Sequence, residues 1–233
     1  MLIYAGYRYY ISRQIHFVFY PAFGITIPDG YSIHGMDISK YQSDIDWQKV
    51  SQVHQGNVRI NFVFIKATEG ITQQDNLFEK NWKNARRAGI VRGAYHFFYS
   101  TRDPLLQAKN FERMVHLRAG DLPPVLDMEV TNDQPGEVIR EKSRIWLEEI
   151  QRHYGVTPII YTNLKFYEKY LGDDFDQYPL WISHFNEESQ PPTLRKWVFW
   201  QHSKSGHVAG IKSTVDFNVF KGDSIAFNKI LLH

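Results

Sequence analysis

The sequence predicts an α/β protein, an irregular TIM-like β/α barrel with about five β/α units followed by three partly antiparallel strands. Three observations carry that expectation. Eight short apolar or β-branched runs recur from Tyr31 onward, helical patterns separate the early ones, and the connections change character after about residue 172. The strand candidates are 33–37, 62–68, 90–98, 124–130, 157–162, 180–183, 197–201 and 214–217. Residues 75–88 set Leu77, Phe78, Trp82, Ala85 and Ala88 on one helical stripe, with Gly89 where such a helix ends. Asp103 and Pro104 supply an N-cap and a first helical position for 104–118. The stretch 137–154 carries Ile145, Trp146, Leu147 and Ile150 and stops at Gly155. Connections 184–196 and 202–213 hold Pro191-Pro192, Gly206 and Gly210 and no helical pattern. A parallel crossover needs a dozen or more residues and usually a helix, so antiparallel pairing is expected there. An open doubly wound sheet also accommodates eight strands. Against it, the first βα turn, Met36-Asp37-Ile38-Ser39-Lys40, has no glycine-rich loop to cradle a dinucleotide.

The 233 residues suffice for one large domain, and 43% hydrophobic with 22% charged residues is an ordinary globular balance. A net charge of +2 with no local basic patch gives no nucleic-acid footprint. Zero cysteines exclude disulfides, thiolate metal sites and a Cys nucleophile. The 10 histidines form no His-Glu-x-x-His or comparable ligand pattern, so neither metal nor cofactor is expected. Met1–Gly6 is a short apolar stub, and Tyr7-Arg8-Tyr9-Tyr10-Ile11-Ser12-Arg13 mixes Tyr with Arg as a membrane-interface flank does. Residues 1–31 therefore read as an N-terminal arm, either ordinary or the remnant flank of a signal anchor upstream of Met1. Residues 32–233 read as the barrel domain.

Acidic residues gather at the strand ends: Asp37, Glu69, Asp127 with Glu129, and Asp216, with His96 in the third strand. In a β/α barrel the C-terminal strand ends form the catalytic face. Asp127 and Glu129 are two apart in a strand, so they share a face with backbones ~6.6 Å apart. Two carboxylates that close on a partly desolvated surface raise the pKa of one, which is how a Glu stays protonated to act as general acid. Tyr95, Tyr161, Trp181 and Trp200 with Gln201 accompany them, and 15% aromatic residues suit a cleft for the apolar faces of sugars.

A wider pattern then emerges. Gly35-Met36-Asp37-Ile38-Ser39-Lys40-Tyr41-Gln42 with Ile45-Asp46-Trp47, Phe64-Ile65-Lys66-Ala67-Thr68-Glu69-Gly70 and Gly93-Ala94-Tyr95-His96-Phe97 occur in order. Asp127-Met128-Glu129, Pro179-Leu180-Trp181-Ile182, Trp200-Gln201 and Val215-Asp216-Phe217-Asn218-Val219-Phe220 follow. Across nearly all of 33–233 the chain resembles the glycoside hydrolase family 25 lysozymes. The resemblance implies a bacteriolytic N-acetylmuramidase of the cell wall, cutting the β-1,4 bond between N-acetylmuramic acid and N-acetylglucosamine of peptidoglycan. It implies Glu129 as general acid, Asp127 as its neighbouring carboxylate, and Asp37 and Asp216 as the other acids. Tyr95, Tyr161, Trp181 and Gln201 would fall on the saccharide surface, with Glu69, His96 and Trp200 beside them. Asp127 could serve as nucleophile, as base for a water, or as the group orienting the substrate's N-acetyl oxygen. Departures at His184-Phe185 and His202 leave the shape of the sugar subsites open. Peptidoglycan strands are then the partner, a monomer is expected, and the work lies outside the cytoplasm, in the envelope, periplasm or medium. Two rivals remain, a chitinase-type glycosidase and an inactive glycan-binding module.

Overall fold

The computed structural model describes residues 15–185, 189–193 and 195–233. The barrel strands are β3 (His34–Ile38), β5 (Val58–Glu69), β7 (Val91–Phe97), β8 (Val125–Asp127), β9 (Ile159–Asn163), β10 (Leu180–Ser183), β11 (Phe199–Gly206) and β12 (Val215–Phe220). They pair in the order β3-β5-β7-β8-β9-β10-β11-β12, and β12 returns to β3, so the sheet closes on itself. Each coincides with one of the eight runs seen in sequence. Before β3 come β1 (Phe17–Tyr20) and β2 (Ile25–Pro28), while the two-residue strands β4 (His54–Gln55) and β6 (Gln73–Gln74) flank β5.

The crossover helices are α1 (Trp47–Gln52), α2 (Phe78–Arg87), α3 (Pro104–Met114), α4 (Gly136–Tyr154) and an irregular helical run through 164–175. A final helix, α5 (Ser224–Ile230), follows β12. The capping chemistry is that read from sequence: Asp103 accepts from Leu106 N at 2.9 Å, and Gly155 ends α4 in the left-handed region at φ 69°. None of the helices among the described residues is long and apolar enough to cross a membrane.

Among the eight barrel strands, antiparallel pairing is confined to β12, because β10 and β11 stay parallel to the strands before them. The eight residues between β11 and β12 are too few for a parallel crossover, so the last strand turns back. This changes how one acid reaches the site. Asp216 does not close its strand as the sequence suggested; it lies near the start of β12, and the reversal brings that start to the same end of the barrel as the C-terminal ends of the others.

Side-chain alternation divides the core in two. Inside the lumen, Phe62, Phe64, Leu122, Val125, Ile159, Trp181, Phe199 and Phe220 pack together, with Phe227 of α5 closing the far end. Phe64 stacks on Trp181 at 4.3 Å. Glycines on neighbouring strands make room for these rings: a Cβ on Gly35 would stand 2.4 Å from Phe62, and one on Gly93 2.5 Å from Phe64. The outward set, including Met36, Val63, Ile65, Ala94, Leu126 and Ile160, packs in the outer core with the helices.

The β1–β2 hairpin covers the outer face of β11 and β12. Phe23 packs on Phe217 at 5.2 Å, Phe17 on Trp200 at 6.0 Å, and His207 N–H donates to the Phe23 carbonyl at 2.8 Å. The expected arm is thus folded onto the barrel from residue 15 onward, since Phe23, Ile25 and Ile27 are buried in its outer core. The suggested anchor flank at 1–13 lies outside the described residues.

Candidate active site

Alternation that fills the lumen with rings at one end places polar groups at the other. Asp37, Lys66, Tyr95, Phe97, Asp127, Glu129, Tyr161, Trp181, Gln201 and Asp216 line one cleft of ≈ 200 Å³ at the mouth, joined by Ser39 and Tyr41. All four acids expected from sequence therefore converge, from strands up to 179 residues apart by the difference of 216 and 37. Tyr95, Tyr161, Trp181 and Gln201 meet them there.

Asp37 and Asp216 are direct cross-strand partners. Like charges so placed repel unless one takes a proton. Donors are gathered on Asp37: Gln201 Nε2 and Asn218 Nδ2 both reach its Oδ2 at 2.8 Å, and Gln201 Nε2 lies 3.3 Å from Asp216 Oδ2. A second layer fixes those amides. Tyr161 Oη donates to Gln201 Oε1 at 2.8 Å and Trp181 Nε1 to Asn218 Oδ1 at 2.8 Å. Burial and then the Asp216 charge hold Asp37 well above the usual carboxylate range, against those two amides. Burial pushes Asp216 up to about 6, with Lys204 opposing.

The second pair comes from the end of β8. Regular pairing stops at Asp127, yet the next residue is fixed from both sides: Met128 N–H donates to the Tyr161 carbonyl at 2.9 Å, and its own carbonyl accepts from the buried Thr162 hydroxyl at 2.5 Å. With Met128 packed outward in the core, Asp127 and Glu129 both face the cleft. Asp127 is only 6% exposed and its Oδ1 has no hydrogen-bond partner among the described residues. Burial and the neighbouring Glu129 charge raise Asp127 far above its ordinary value, while Lys66 pulls the other way. Burial also raises Glu129, opposed by the Tyr161 hydroxyl and Lys204. Both tyrosines are driven up, first by burial and then by the surrounding carboxylates, so they stay protonated donors.

Two assignments made from sequence are corrected. His96 is fully buried on the outward side of β7, between Thr68 Oγ1 at 2.7 Å and Gln107 Oε1 at 3.3 Å, and stacked on Trp146 at 5.6 Å. Burial lowers it to about 3, so it is a neutral core residue. Trp200 is likewise fully buried outward, packed on Phe17, Tyr31 and Trp197, with Nε1 donating to the His184 carbonyl at 2.7 Å. Neighbours in a strand face opposite sides, so Tyr95 with His96, or Gln201 with Trp200, cannot both reach one cleft. Glu69 lies on an adjoining pocket, where Lys66 Nζ at 2.6 Å and Tyr99 Oη at 2.5 Å hold it.

Lys66 and Asn218 were missed, although alternation marks both. Lys66 continues the inward series Phe62, Phe64, and Asn218 lies two beyond Asp216 on the same face of β12.

Comparison with known proteins agrees with this architecture. The model of the glycosyl hydrolases family 25 matches residues 36–211. The chain is 40% identical over 215 residues to YegX of Escherichia coli K12, spanning 91% of this chain and 79% of that protein. It is 30% identical over 213 residues to lysozyme M1 of Streptomyces globisporus, spanning 84% of this chain and 70% of that one. Among solved structures, a family 25 glycosyl hydrolase from Bacillus anthracis superposes with a TM-score of 0.80 at 33% identity, over 88% of this chain and 95% of its own. A bacterial lysozyme from Streptomyces coelicolor gives 0.77 at 27% identity, over 87% and 98%. With its barrel, its four convergent acids and a family match over three quarters of its length, the chain belongs to the glycosyl hydrolases family 25.

Proposed function

We propose that this chain is a lysozyme-type muramidase that cuts peptidoglycan at the β-1,4 bond between N-acetylmuramic acid and N-acetylglucosamine, with Glu129 as general acid. The observation that carries the reading is the pair Asp127 and Glu129, both raised by burial, facing Asp37 and Asp216 across a cleft lined by Tyr95, Tyr161 and Trp181. A raised carboxyl is protonated near neutral pH and can deliver its proton to the glycosidic oxygen as the C1–O bond breaks.

Asp127 fits the task of orienting the substrate rather than attacking it. A buried carboxyl raised this far is a poor anionic nucleophile, whereas its unpartnered Oδ1 is an acceptor for the N–H of the muramoyl acetamido group. The acetamido oxygen then forms a bond to C1 as the leaving oxygen takes the Glu129 proton. Glu129, now ionised, removes a proton from the water that opens the resulting oxazolinium ring, and C1 keeps its configuration. The hydrogen-bonded Asp37–Asp216 pair, carrying the negative charge that Asp216 releases above about pH 6, supplies negative potential towards the oxocarbenium-like transition state. The substrate places this work at the cell wall, and we infer a monomer acting outside the cytoplasm.

The test is digestion of purified peptidoglycan by the protein and by Glu129→Gln, followed by borohydride reduction and mass spectrometry. New reducing-end muramic acid from the native protein alone is the expected result. Reducing-end glucosamine would relocate the cut, and no release from either protein would leave a binding module.

A further inference from the structure

The two lysines at the mouth are held differently. Lys66 Nζ is committed to Glu69 at 2.6 Å. Lys204 has no ion-pair partner among the described residues. Its position follows from the second of two register shifts in β11: Ser203 pairs with Phe217 and Gly206 with Val215, so Lys204 and Ser205 together stand opposite the single residue Asp216. Its charge bears on both Glu129 and Asp216. Its ammonium group is also seated, because Nζ lies 4.3 Å from the ring centre of Phe185, a 40% exposed aromatic two residues beyond the end of β10. The rim beside the general acid therefore carries an exposed cation held over an aromatic ring.

Four acids in one cleft repel an anionic ligand, and an exposed cation next to them offsets that repulsion. An exposed ion pair gains little when both side chains must be ordered, but the Phe185 ring already restricts the lysine. N-acetylglucosamine carries a hydroxyl at C3, whereas N-acetylmuramic acid carries a lactyl ether that brings a carboxylate, its own or one on the attached peptide.

We propose that Lys204, held over Phe185, receives a carboxylate of the 3-O-lactyl substituent of the muramoyl unit and is the residue by which this site favours peptidoglycan over unsubstituted N-acetylglucosamine polymers. The inference rests on the muramidase reading.

The test pairs a protein change with a substrate change. Native protein, Lys204→Met and Lys204→Arg are assayed on soluble peptidoglycan fragments before and after carbodiimide amidation of their carboxylates. For the native protein, amidation is expected to raise KM roughly fivefold, the scale of a well-held exposed ion pair. Lys204→Met should start from the raised KM and be indifferent to amidation, its kcat moving far less, and Lys204→Arg should restore the native response. Repeating the series on glycan strands whose peptides an amidase has removed tells the two carboxylates apart: a persisting effect assigns the lactyl group's own, a lost effect the peptide's. Equal responses of native protein and Lys204→Met to amidation overturn the proposal. Absence of any product from native protein overturns the muramidase reading instead, so the two failures are distinguishable.

Discussion

The barrel buries two sets of ionisable groups, and they differ in kind. At the mouth, Asp37, Asp127, Glu129 and Asp216 share one cleft, with Gln201, Asn218, Tyr161 and Lys66 arranged around them. On the outward face of the same strands, His34, His96 and His202 are buried among rings and aliphatic side chains, His34 and His202 near each other, and burial pushes the three down to about 4, 3 and 3. His96 is satisfied by Thr68 and Gln107, whereas neither ring nitrogen of His202 has a hydrogen-bond partner among the described residues. Burial disfavours the charged form in both sets, but only the mouth set converges on a cavity open to a ligand. Depth of burial and size of pKa displacement thus do not by themselves mark a site; convergence on one accessible cavity does.

The contrast can be broken most forcefully at Glu129. Replacing it by Gln removes the proton donor while keeping its shape, so kcat is expected to fall about 10²–10⁴-fold with the melting temperature unchanged or raised. A parallel loss of stability would mean that the mouth also holds the fold together. Next in size is the acid sensitivity of the wall beneath the hairpin. His34 and His202 titrate well below the ordinary 6.5, so the unfolded chain binds more protons than the folded one. The stability present above pH 6.5 is then lost as pH falls towards 4, on the order of 2–4 kcal/mol per ring. His202→Leu should flatten that limb in thermal melts followed across pH, and an unchanged slope would contradict it.

His96→Ala sharpens the comparison by separating fold from function. It strands the Thr68 and Gln107 partners and opens a cavity beside Trp146, at a cost of about 2–3 kcal/mol in denaturant unfolding. KM and kcat of the remaining folded protein should stay within about twofold, whereas a ligand-contacting histidine would shift KM. The smallest effect belongs to Asp216. Its folded value of about 6 stands above the ordinary 3.8, so stability present at low pH is lost as pH rises through that interval. Asp216→Asn should remove that loss, a gain on the order of 1 kcal/mol at pH 7 for a partly buried carboxyl, detectable as a higher melting temperature beside reduced activity.

Much of this was legible in the sequence, for identifiable reasons. All eight barrel strands are short apolar runs bounded by turn residues, and α3 and α4 carry their caps in plain view at Asp103 and Gly155. The hairpin was passed over because its apolar residues, Phe23, Ile25 and Ile27, stand in a segment without the periodicity of the barrel. Strand direction was harder. Composition locates 214–217 as a strand, but only the eight-residue connection before it tells that it runs backwards, and hence that Asp216 arrives from its beginning. His96 and Trp200 went astray for a different reason: residue type suggested chemistry, while alternation, already used to join Asp127 with Glu129, excluded them. The same rule, applied to β5 and β12, finds Lys66 and Asn218.

The reversal of β12 also has a practical consequence for handling the protein. Because β12 leaves the mouth and runs to the far end, α5 and the last residues end up below the lumen, where Leu232 N–H donates to the Asp121 carbonyl at 2.9 Å and Phe227 closes the barrel floor. Tethering through His233 to a bead, electrode or sensor chip would then orient every molecule with its cleft towards the liquid, ready to meet an insoluble polymer that cannot diffuse to a hidden face.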